Sequence, residues 1–179
     1  MLEKLKTEDP NFSESKFLSF IDNVFIQLYL ALMKGNLEEV KHFVSENVYE
    51  DFKNKLDELD SKNERQIFGE INVKESKIIE CIETENTFIL KVQLISRYLD
   101  YVENKTTGKK IRGNDTSRIE KNNILEFERK NDYKERKKVI KCPNCGANMD
   151  INHSGKCNYC GQIYNQEDYD WVLKNIVSN

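Results

Sequence analysis

The sequence predicts an α+β fold, with helices first and antiparallel strands after them. Two observations carry this. Apolar residues recur at helical spacing through the first sixty positions, then alternate with a period of two from Lys77 to Lys130. A third observation sets the end of the chain apart: four of its five cysteines lie between Cys142 and Cys160, in two Cys-x-x-Cys pairs.

Residues 1–12 read as an arm ending in Asp9-Pro10-Asn11-Phe12. Ser13 is a natural N-cap for a first helix, in which Phe17, Ile21, Val24 and Leu28 form a stripe widened by Leu18, Phe25, Tyr29 and Leu32. Gly35 stops it. A short helix over 37–44 follows, then a third, capped by Ser45, carrying Val48, Tyr49, Phe52, Leu56 and Leu59. Residues 67–73 read as a linker, and 77–84 as a strand. A long strand spans 87–103, with Phe88, Leu90, Val92 and Leu94 on one face and Ile89, Ile95, Leu99 and Tyr101 on the other. Apolar residues on both faces imply curvature. Residues 104–113 form the turn of a long hairpin, and 117–130 the returning strand. The expected architecture is a cone of curved antiparallel sheet packed on the N-terminal helices, spanning residues 1–130. A charged linker (131–141) and a small C-terminal module (142–179) follow.

Among 179 residues, 38% are hydrophobic and 33% charged, with a net charge of -3. This balance gives no overall attraction to nucleic acid or anionic lipid. No segment shows the roughly 20 apolar residues of a membrane span, and the start lacks a secretory signal. The expected location is the cytoplasm, with membrane association through a partner or an upstream segment as the alternative.

The pairs Cys142-Pro143-Asn144-Cys145-Gly146 and Cys157-Asn158-Tyr159-Cys160-Gly161 point to metal. Two thiolates two residues apart can grip one ion from a tight turn. The following glycine permits the positive φ that closes it, and four thiolates complete the tetrahedron zinc prefers. Cys142, Cys145, Cys157 and Cys160 are therefore expected to hold one structural zinc in a zinc ribbon. A full shell leaves no position for a catalytic water. His153 reads as a turn residue, and 165–176 as a short amphipathic helix.

Catalytic signals are sparse. His42, beside Lys41, reads as a surface histidine, and Cys81 as a small core residue. Arg97, Asp100 and Tyr101 cluster on the long strand. They either line a pocket or, the reading preferred here, form a polar network at a strand end.

The motifs Asp9-Pro10-Asn11-Phe12-Ser13, Arg97-Tyr98-Leu99-Asp100-Tyr101, Thr107-Gly108-Lys109 and Glu126-Phe127-Glu128-Arg129, together with the cysteine knuckles and Asp170-Trp171-Val172-Leu173, carry a resemblance. The chain resembles bacterial proteins that join a domain like that of mitochondrial inner-membrane translocase subunit forty-four to a zinc ribbon. Leu125 stands where that family often has Trp. The resemblance implies a cone similar to nuclear transport factor two and a non-enzymatic role, since in the mitochondrial relative the domain contacts lipid and tethers an import motor. The expected function is a binding or scaffold protein. A protein or peptide is the first expectation for its partner and membrane lipid the second; nucleic acid, read by the ribbon and basic linker, is disfavoured by the acidic total. An enzyme using the cone's pocket is the alternative, on fold analogy alone.

Overall fold

The computed structural model describes residues 2–131, 139–141, 145–150, 159–160 and 171–178. In chain order the elements are α1 (Glu3–Glu8), α2 (Glu14–Lys34), a 3₁₀ turn (Lys41–Phe43), α3 (Glu46–Ser61), β1 (Glu64–Glu83), β2 (Thr87–Asn104), β3 (Lys110–Lys130), β4 (Val139–Lys141), β5 (Asn148–Asp150) and β6 (Val172–Ser178). Four strands form one antiparallel sheet in the order β1-β2-β3-β6, and β4 pairs with β5.

Helix α2 begins where Ser13 accepts the Lys16 N–H and ends at Gly35, in the left-handed conformation with φ 71°. It is the described helix with the length and apolarity to cross a membrane. Phe17, Ile21, Val24, Phe25, Leu28, Tyr29, Ala31 and Leu32 are buried, however, so packing against the sheet accounts for that apolarity. Phe88, Leu90, Val92 and Leu94 of β2, with Leu125 and Phe127 of β3, supply the facing layer. The outer residues Ile89, Ile95, Leu99 and Tyr101 are half-buried.

Several expectations are corrected. The N-terminal arm contains α1, whose Leu5 is fully buried; two leucines are too few to show a helical period. The second helix shortens to the 3₁₀ turn, in which His42 is buried against Phe43 with ring centroids 3.8 Å apart, rather than lying at the surface. The expected linker 67–73 belongs to β1. Glu70 adopts φ 54°, and a bulge between Gly69 and Asn72 breaks the alternation that reveals a strand.

Strand β3 starts at Lys110, so the turn is shorter than expected. Asn114 Oδ1 accepts the Thr116 and Ser117 N–H groups, each at 2.9 Å, and loops extra residues out of the ladder. The largest correction is at the C-terminus. Residues 172–178 are not helical: they form β6 and complete the main sheet, pairing Asn123 with Ser178 and Leu125 with Ile176. Residues 165–170 lie outside the described set.

Candidate functional site

The expected Arg97–Asp100–Tyr101 group is distributed over the two faces of β2. Arg97 is exposed and sits 3.8 Å from Glu120. Asp100 Oδ1 accepts from Gln66 Nε2 at 2.7 Å, and the same amide donates to the Tyr101 carbonyl at 3.0 Å. Asp100 alone of the three side chains joins a polar belt, whose other members were not legible in the sequence. Asn123 Nδ2 donates to Ser96 Oγ at 3.0 Å and to the Leu94 carbonyl at 3.1 Å, while Ser178 Oγ donates to Asn123 Oδ1 at 2.7 Å. Tyr29 and Tyr98 lie with them, ring centroids 5.9 Å apart.

Burial is the main reason both phenols are held above their ordinary range; for Tyr98 the neighbouring Tyr29 and Asp100 add to it. Both therefore stay protonated at neutral pH. This belt crosses the inner face of the sheet from β1 to β6. Its one carboxylate is held by a neutral amide.

A cavity of about 300 Å³ opens where α2 ends beside α3 and the start of β1. Leu32, Met33, Leu56 and Leu59 give it apolar walls, and Glu64, Arg65 and Lys105 are among its polar lining. These charges are already committed: Glu64 to Arg112 at 2.7 Å, Arg65 to Glu103 and Lys105 to Asp60. The Arg112 guanidinium holds the Glu64 carboxyl below its usual range. Cavities near this size accept a side chain or a small ligand.

Three of the motifs singled out in the sequence meet at one point. Asp9, just after α1, forms a buried ion pair with Arg129 of β3 at 2.9 Å. The Asp9 side chain also accepts the Asn11 N–H, which fixes the turn into α2. The Arg129 guanidinium lies 4.7 Å from the Trp171 ring, a cation–π contact. That ring packs on Phe17 at 5.1 Å and Phe12 at 6.3 Å, and Phe17 meets Phe127 edge-on at 6.1 Å. Spacing could not reveal this latch, because its parts lie up to 162 positions apart along the chain, from Asp9 to Trp171.

At the cysteine module, β4 and β5 pair antiparallel, with Lys141 opposite Asn148. Cys145 is exposed, and Gly146 adopts φ 71°, the conformation expected of a knuckle glycine. Cys160 is exposed in a turn. Cys142 and Cys157 lie outside the described residues, as does His153, so the four-cysteine set lies only partly within the description. Among the described residues no three His, Cys, Asp or Glu side chains gather as a metal site requires. Cys81 packs against the core, and burial pushes its thiol up, away from the reactive thiolate.

No curated protein matches the chain. The family model described as the Tim44-like domain matches residues 1–139. The match takes in α1 through β3 and stops short of β6, the fourth strand of the same sheet. With the matched span covering most of its length, the chain belongs to the Tim44-like domain family.

Proposed function

We propose that the protein is a non-enzymatic binding or scaffold module whose cone engages a protein or peptide. Zinc held by Cys142, Cys145, Cys157 and Cys160 serves structure alone. The observation that carries the reading is the filled interior. Phe25, Leu28, Phe88, Leu90, Val92, Leu94, Leu125 and Phe127 are each at most 1% exposed and occupy the space where an open cone would hold a substrate. Family membership supports the same role, since it suggests protein binding or scaffolding. The 300 Å³ cavity, with apolar walls and charged neighbours, suits the anchoring side chain of a partner.

The residues at the knuckle fit zinc. Exposed Cys145 is followed by the positive-φ Gly146, a conformation that lets a turn bring two thiolates to one ion, and a second pair would complete the shell. The ion would supply folding energy to a module with little core of its own. A cytoplasmic location, with membrane association only through the partner, is consistent with this role.

Photocross-linking from Met33 in the native host should trap a discrete partner. The purified partner should bind the chain, and Met33→Glu at the cavity wall should weaken that binding roughly tenfold or more, about 1.4 kcal/mol. Turnover of a small molecule that disappears in Asp100→Asn would overturn the proposal.

A further inference from the structure

Strand β6 is built like a ligand. Adjacent antiparallel strands are ordinarily joined by a turn of about two to five residues. Here residues 131–171 separate β3 from β6. The principal contacts of β6 are with β3, α3 and the 3₁₀ turn, all of which precede Asn131. The strand enters a ready-made slot. On one side it pairs with β3 from Asn123 to Glu128; on the other, Ser45 N–H donates to the Leu173 carbonyl at 2.9 Å, beside a parallel bridge from Val44. Trp171 fills the aromatic end of that slot, and Trp171, Val172 and Leu173 are at most 4% exposed. Charge is matched too: Lys174 lies 3.6 Å from Glu128, and Asn175 donates toward Glu126.

We propose that this slot is a strand acceptor that two copies of the chain can fill reciprocally, each lending residues 171–178 to the other. A second copy is the occupant the observations favour. It carries a strand of the required sequence, and exchange preserves every contact just described while changing only the course of the long connection. In the exchanged pair the Asp9–Arg129 site of one copy closes over Trp171 of the other. The slot is thus an interaction surface beyond the binding role proposed above, and it does not depend on that role.

The test uses the full zinc-loaded chain. Glu126 and Asn175 are register partners. A Glu126→Cys chain mixed with an Asn175→Cys chain can form the 126–175 disulfide only across two molecules. Exchange predicts that this link, mapped by mass spectrometry, accumulates on co-incubation. Its yield should rise about tenfold between ~10 and ~100 µM, as mass action requires, and Trp171 emission in the dimer should match that of the monomer. The double variant carrying both cysteines calibrates the geometry. If it closes within one chain while the mixed singles yield no mapped link at the higher concentration, the exchange is refuted. If neither closes, the β3–β6 register itself is wrong and the proposal falls with it.

Discussion

Replacing Asp9 with Asn tests whether the latch among Asp9, Arg129 and Trp171 secures the fold. Both side chains of the ion pair are nearly inaccessible, with 4% and 5% of their surface exposed. Neutralising one partner removes a charged acceptor from a buried guanidinium. Breaking buried pairs in this way costs about 3–5 kcal/mol. An asparagine oxygen still accepts the Asn11 N–H and still presents a dipole to Arg129, so the lower end, about 3 kcal/mol, is expected. At this chain length each kcal/mol moves the midpoint by about 2–4 °C, giving a fall of ~6–12 °C. Trp171 is the sole tryptophan and lies against Arg129. Urea denaturation followed by its emission reads the latch directly, and circular dichroism reads the whole fold. Adding Arg129→Met should recover at least about 2 kcal/mol relative to the sum of the single effects, because a hydrophobic replacement removes the buried charge. A loss below about 1 kcal/mol in Asp9→Asn, the scale of an exposed pair, would refute the reasoning.

Three further outcomes are expected. Gly113 has φ 90°, and a Cβ there would stand 2.4 Å from the Asp100 carbonyl oxygen; Gly113→Ala should cost about 2 kcal/mol or more in thermal melts, and a neutral result would remove the argument. Tyr49 donates to Glu38 at 2.6 Å, the chief reason its phenol is pushed up to about 12. Since the folded value exceeds the unfolded value near 10, the stability it adds is fully present below pH 10 and lost as pH rises through about 12. Stability measured over that window should therefore fall less steeply in Tyr49→Phe, and identical slopes would contradict this. Zinc should be found at one ion per chain by elemental analysis. Its removal by a chelator should abolish amide-exchange protection at the β4–β5 pair and leave β1 and β2 protected, whereas a chain purified without zinc and unchanged by chelator would count against the ribbon.

Elements whose apolar period is uninterrupted were legible in the sequence. The stripe of α2 and its two boundary residues, Ser13 and Gly35, mark that helix completely, and the alternation in β2 marks both its faces. Where the structure departs, a local feature hides the period or a distant partner overrides it. Glu70 hides the first half of β1, and the Asn114 turn hides the start of β3. The helical spacing of Trp171, Val172, Leu173 and Ile176 is overruled by the open edge of β3, which only the folded sheet displays. At the candidate site Asp100 was legible in the sequence, whereas the parts played by Gln66, Tyr29 and Asn123 were not. Polar residues that serve one another across a sheet carry no spacing signature.

Because β6 follows β3 only after residues 131–171 yet sits against it, the sheet has a waiting time during synthesis. At about 5–20 residues per second, the interval between emergence of Lys130 and of Leu173 is roughly 2–9 s. Throughout it the β3 edge and the ring faces of Phe17 and Phe127 that the last strand helps to cover stand open on the nascent chain. Hydrophobic collapse is complete within microseconds. The newborn domain therefore passes through a state that is folded but unsealed, and that state is the one in which neighbouring nascent copies on a polysome, or a chaperone, first meet it.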